Sequence, residues 1–169
     1  MKDMMLLVEP LIPALRRYAR ALLRDRDAAD DLVQDCLERI IRGWHGRRGD
    51  DACSWAFTIL HNLAVNRLKQ GQRRGRHATL DETDEASIAR PAVQEDRLRH
   101  LELIRALGDL PEEQRCVLLL VSVEDLSYAE AARILGIPIG TVMSRLSRGR
   151  ERLQQLLEGR AAPALRRVK

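Results

Sequence analysis

The chain has 169 residues, 45% of them hydrophobic and 32% charged, with a formal net charge of +4, a length that fits one modest domain or two small ones. It contains no run of 18 apolar residues, which excludes a membrane-spanning helix, and the short MMLLV stretch near its start lacks the cationic lead and cleavage pattern of a secretion signal. Its three cysteines are far apart and form no CxxC, so a disulfide framework or zinc finger is not expected and a reducing cytosol fits.

Apolar residues recur at helical spacing almost throughout, and no strand pattern or internal repeat stands out. Leu7, Leu11, Leu15, Tyr18, Leu22 and Leu23 predict a helix over 6–24, broken or started near Pro10 and Pro13. Residues 27–42 form the cleanest amphipathic pattern. Ala29, Leu32, Val33, Cys36, Leu37, Ile40 and Ile41 make its apolar face, Asp31, Gln34, Asp35 and Glu38 point outward, and Asp27 is the expected cap. A polar loop with Gly43, Gly46 and Gly49 leads into a helix over 53–70 with Trp55, Ile59, Leu63 and Leu68 inward. That helix ends in the basic cluster Arg67, Lys69, Arg73, Arg74 and Arg76. Cys36 and Cys116 sit in apolar patterns and read as core thiols, while Cys53 falls in the loop with His45. Residues 77–95 are acidic, lack periodicity and read as a flexible linker. Helices over 96–108 and 111–123 follow, with Pro111 suited to a first helical position.

The segment EDLSYAEAARILGIPIGTVMSRLSRGRERLQQ, residues 124–155, reads as a helix-turn-helix. Ser127 caps the first helix, with Glu130 at capping-box spacing. Gly136 ends that helix and Pro138 opens the next. In the second helix Ile139, Val142, Leu146, Gly149 and Leu153 form one buried stripe. Gly140, Met143, Ser144, Ser147 and Arg148 fall on the outward side, with Thr141 and Arg145 at its edge, placed to touch phosphates. Small outward residues let a helix backbone approach bases closely, so the pattern suits a DNA major groove. The plainer alternative is an ordinary helix pair with a solvated basic face.

Charge is unevenly distributed. Residues 1–76 carry 15 Lys/Arg against 10 Asp/Glu, residues 77–110 carry 4 against 8, and residues 143–169 carry 8 against 2. Two basic ends flanking an acidic middle suit a protein that grips a polyanion at two places. No Walker loop, GxSxG, HExxH or dinucleotide fingerprint is present, and His45, His61, His77 and His100 show no ligand spacing. Nothing therefore points to an enzyme, a metal or a cofactor. The expected architecture is all-α: two small helical domains, 1–75 and 96–160, a flexible acidic linker at 76–95, and a tail at 161–169.

Three segments carry a family resemblance: AADDLVQDCLERI (Ala28–Ile40), WAFTILHNLAVNRLK (Trp55–Lys69) and LPEEQRCVLLLVSVEDLSYAEAARILGIPIGTVMSRLSRGRERL (Leu110–Leu153). In this order and spacing the chain resembles the extracytoplasmic-function (ECF) sigma factors of bacterial RNA polymerase, with a region 2 and a region 4 joined by a linker. The resemblance implies that Asp31, Gln34, Asp35 and Glu38 bind the β′ clamp helices of core polymerase, with further contacts to the β subunit. A polar, largely acidic face suits an arginine-rich partner helix. It also implies that the Trp44–Ser54 loop and Asn62 open and read the −10 promoter element. There an amide reads the edge of an unstacked base, and Arg47, Arg48, Arg67, Lys69, Arg73 and Arg74 hold phosphates. Trp55 reads as core rather than as a stacking surface.

The same resemblance makes Gly140, Thr141, Met143, Ser144, Arg145, Ser147 and Arg148 the −35 surface. The chain departs from the family at Met143, where Arg or Lys is usual. A bidentate arginine contact to guanine contributes about 1–3 kcal/mol of discrimination, which Met143 cannot make; contact with a thymine methyl is one option in its place. A cytoplasmic location, promoter DNA as ligand and an anti-sigma factor as partner are implied as well. Two other readings remain. A helix-turn-helix repressor explains residues 124–155 but not the acidic face or the Trp–Asn helix. A sigma-like mimic that binds only an anti-sigma factor usually has a degraded recognition helix and a receiver domain. A nucleic-acid enzyme would need a metal-binding carboxylate cluster.

Overall fold

The computed structural model describes residues 2–46, 51–73 and 91–161, and every regular element among them is helical. The first half consists of α1 (Lys2–Val8), α2 (Ile12–Leu23), α3 (Arg26–Gly43) and α4 (Ala52–Arg73). A 3-10 turn at Glu9–Leu11, containing Pro10, separates α1 from α2, which resolves the helix expected over 6–24 into two pieces. Arg24 ends α2 in the left-handed region at φ 57, and Asp25 caps α3 by accepting from the Ala28 amide at 2.9 Å. The cap is therefore Asp25 and not Asp27, which lies in the first turn.

α2, α3 and α4 pack on one another around Leu15, Tyr18, Leu22, Leu32, Val33, Cys36, Ile40, Phe57 and Leu60, all buried. Tyr18 and Phe57 meet edge to face, 5.7 Å between centroids. Burying side chains of this size contributes about 1.5–3 kcal/mol each, which is what fixes the apolar faces read from the sequence. Asp51 caps α4 by accepting from the Ser54 amide at 2.9 Å. Cys53 is thereby in the first turn of α4, half-buried, rather than in the loop with His45.

The second half holds α5 (Pro91–Gly108), α6 (Glu112–Leu118), α7 (Tyr128–Leu135) and α8 (Ile139–Ala161). Helix α5 begins five residues before the expected 96. Pro111 caps α6 from just outside it instead of opening it. The helix expected over 111–123 changes to a wider π turn at Leu119–Val123, closed by the Glu124 amide on the Leu119 carbonyl at 3.0 Å. The run Cys116–Leu120 is buried without a break because α2 as well as α8 packs on this stretch.

The two halves do not stand apart. α7 packs on α4, and α2 packs on α5, α6 and the π turn, so one apolar cluster runs through both halves. Arg17 on α2 reaches Glu124 through two bonds of 2.7 and 3.2 Å. Arg133 on α7 pairs with Asp51 at 3.1 Å. Gly108 takes the Arg24 guanidinium on its carbonyl at 3.3 Å, and a Cβ there would sit 2.8 Å from that guanidinium carbon.

Candidate nucleic-acid interface

Asp31, Gln34, Asp35 and Glu38 are all exposed and recur on one face of α3, opposite the buried Leu32, Val33, Cys36 and Ile40. Their positions follow from the 3.6-residue period and from the apolar stripe that pins the other side. Glu38 is bridged to Arg42 one turn on at 3.0 Å, an exposed pair contributing little stability. The sequence-predicted face is thus brought together and left open.

Asn62 is exposed on α4, and Asn66, Lys69 and Gln70 extend the same polar stripe along the helix. Asn66 and Gln70 were not singled out by the sequence, although their spacing of four and eight from Asn62 is the signal that finds them. Arg67 is half-buried, and one of its N–H groups donates to the Ala28 carbonyl on α3. This bond ties α4 to α3. Arg47, Arg48 and Arg74 lie outside the described residues, as does the side chain of Arg73. Trp55 is half-buried against Trp44, 6.2 Å between centroids, with Gly43 leaving room for its ring.

Behind that stripe α4 turns His61 inward. The imidazole Nδ1 is 3.0 Å from the Tyr18 hydroxyl, and burial pushes its pKa down to about 4. Burial raises Tyr18 and lifts the Cys116 thiol to about 12, so neither group ionises in the physiological range. His61 and Val65 of α4 face Glu112, Glu113 and Cys116 of α6 and Leu135 of α7 across a small cavity. Burial opposes ionisation of Asp51, but bonds from Ser54 and the Arg133 charge outweigh it and hold the carboxyl below its usual value.

The helix-turn-helix forms as its caps dictate. The Glu130 amide donates to Ser127 Oγ at 3.2 Å, and the Ser127 amide donates to Glu130 at 2.8 Å. Gly136 takes φ 64 at the turn, and Val142, Leu146 and Gly149 seat α8 on α6 and α7. On the other side Gly140, Met143, Ser147 and Arg148 are exposed. Thr141 and Ser144 are half-buried, and the Ser144 hydroxyl donates to the Thr141 carbonyl at 3.1 Å. Arg145, expected at a phosphate, is paired with Glu113 of α6 at 2.9 Å. Ile139, expected in the buried stripe, is exposed at the first position of α8.

Comparison with known proteins covers both halves. Residues 100–153 match the family Sigma-70, region 4, and residues 8–61 match the Sigma2 domain of PhyR. The chain is 35% identical over 150 residues to the ECF RNA polymerase sigma factor EcfG of Rhodopseudomonas palustris, covering 86% of this chain and 80% of that protein. It is 36% identical over 144 residues to the ECF RNA polymerase sigma factor SigM of Mycobacterium tuberculosis, covering 85% and 71%. Its fold matches the sigma factor RpoE of Bartonella quintana, solved in complex with the anti-sigma factor NepR, at a TM-score of 0.78 and 32% identity over 94% of this chain and 98% of that one.

Proposed function

Because the chain belongs to the ECF sigma factors of bacterial RNA polymerase, we propose that it carries out transcription initiation through three separate surfaces. The exposed face of α3, Asp31, Gln34, Asp35 and Glu38, docks on the β′ clamp helices of core polymerase, with further contacts to the β subunit. Helix α8 reads the −35 element as duplex DNA. The stripe led by Asn62 on α4, with Lys69 and the basic residues around it, captures the non-template strand at the −10 element and stabilises opening. The polymerase supplies the chemistry, so this chain is a specificity subunit and not an enzyme, and it works in the cytoplasm.

The observation that carries this reading is the acidic face of α3. Three carboxylates and an amide gathered on one side of a helix, with no basic helix among the described residues covering them, suit a cationic partner helix through charge-assisted hydrogen bonds. The solved RpoE neighbour is bound to an anti-sigma factor, and the likeness extends over nearly the whole chain. We propose the same class of partner here, holding the two halves docked as they are in the closed arrangement of α4 on α7.

The test is binding of purified core polymerase to fluorescently labelled protein. Asp35→Lys together with Glu38→Lys is expected to weaken binding by tenfold or more at low salt, since about 1.4 kcal/mol corresponds to each factor of ten. Undiminished binding by that double variant would remove α3 from the docking surface.

A further inference from the structure

Ile139 is 50% exposed and Met143, one turn further along α8, is 53% exposed. Residues four apart on a helix share a face, so two large apolar side chains stand side by side in water at the start of the recognition helix. Exposed apolar side chains scattered singly need no explanation, whereas an adjacent pair on a candidate reading helix is available to an apolar group of its ligand.

The surroundings say what contacts it. Among the described residues, nothing outside its own stretch of helix lies within 4 Å of where a Cβ on Gly140 would be, so the helix backbone there is open to close approach. Ser147 and Arg148 are exposed on the same helix, and residues 143–169 carry 8 Lys/Arg against 2 Asp/Glu. A small-residue face on a cationic helix fits DNA better than an apolar protein groove. The polar side chains on and beside this face, however, are partly engaged within the protein. Ser144 donates to Thr141, and Arg145 pairs with Glu113. The apolar side chains of this face are exposed while its hydrogen-bonding capacity is reduced at Ser144 and Arg145. In the major groove the one apolar group on a base edge is the C5-methyl of thymine.

We infer that Ile139 and Met143 read thymine methyl groups in the upstream promoter element, and that selectivity there rests on methyl burial. The inference depends on α8 being the duplex-reading helix. Two residues four apart are separated by about 6 Å along a helix, against about 3.4 Å per base step. The pair therefore spans thymines on neighbouring or next-neighbouring base pairs.

The experiment uses full-length protein with core polymerase and a promoter duplex enriched by that holoenzyme from a genomic library. Each thymine of the upstream element is replaced in turn by deoxyuridine, which removes only the methyl. The expected result is a loss of about fourfold in affinity at one or two positions, the effect of burying one methyl-sized group. Met143→Ala and Ile139→Ala, both at exposed positions, should bind the thymine duplex more weakly and no longer distinguish it from the deoxyuridine duplex. Thermal unfolding of both variants checks that the fold is intact. Sequence-selective binding by the wild type that is indifferent to every methyl would overturn the inference while leaving α8 as the reader. If the two variants instead lose affinity for core polymerase alone, the pair serves a protein contact and the inference is overturned. Absence of any selective duplex binding would overturn the reading of α8 itself.

Discussion

Replacing Arg17 with Ala removes the cation from the ion pair that ties α2 to the second half of the chain. The Glu124 side chain is 3% exposed and that of Arg17 is 57% exposed, so the two ends are not equivalent. Breaking a fully buried pair costs about 3–5 kcal/mol and an exposed pair about 0–1 kcal/mol. Arg17→Ala strips a carboxylate of its partner and of the side chain lying over it, and is expected to cost about 1–2 kcal/mol. Glu124→Gln leaves an exposed guanidinium and an amide oxygen that still accepts a bond, and is expected to cost about 0.5–1 kcal/mol. Urea unfolding of the full chain, followed by circular dichroism for both single variants and the double, measures the two costs and their coupling. Because one apolar cluster runs through both halves, the wild type should unfold in a single transition. Two separate transitions, with Arg17→Ala leaving both midpoints unchanged, would refute the docked arrangement of the halves.

The His61 imidazole is held at about 4 against an ordinary 6.5, so folding opposes its protonation. Stabilisation from its neutral form is complete above pH 6.5 and is lost as pH falls towards 4, by up to about 3 kcal/mol. His61→Gln, which keeps a partner for the Tyr18 hydroxyl, should flatten that part of a urea-unfolding pH profile; an equally steep profile would locate the titration elsewhere. At Gly149 a Cβ would meet Leu118 Cδ1 at 3.0 Å and Gln114 Cβ at 3.3 Å, where α8 crosses α6. Alanine there gains about 1 kcal/mol of helix propensity against about 1–3 kcal/mol of overpacking, so thermal melting should show Gly149→Ala neutral to modestly destabilised. Gly149→Val adds two further methyls and should lose about 3 kcal/mol or more; wild-type stability in that variant would contradict the close crossing. Gly136 has φ 64, and Gly136→Ala should cost about 1–2 kcal/mol in the same assay, an unchanged melting temperature being the contrary result.

Local chemistry made much of the fold legible. The Ser127–Glu130 capping box, the glycine at 136 and the proline at 138 are signals read from neighbouring residues, and the helix-turn-helix formed where they placed it. The exposed face of α3 was legible because Leu32, Val33, Cys36 and Ile40 fix the opposite side. Contacts between distant residues were not. Arg17 and Glu124 are 107 residues apart, and Arg133 and Asp51 are 82 apart, so no local pattern announces either pair or the docking they accompany. The intramolecular bonds of Arg67 and Arg145 were not legible either, because charge alone does not reveal an intramolecular partner. Ile139 satisfied the helical period yet is exposed, because period gives direction around the helix but not which turn the neighbouring helices cover. Asp27 suits a cap by residue type, but the left-handed turn at Arg24 places Asp25 at that position instead.

Run-off transcription tests the central claim most directly: purified core polymerase, with and without this protein, on a promoter library from its own genome. Specific initiation is predicted only when the protein is present, and it should be lost with Asp35→Lys together with Glu38→Lys. No initiation and no core binding, with duplex DNA still bound, would contradict the account and leave a DNA-binding protein that works without polymerase.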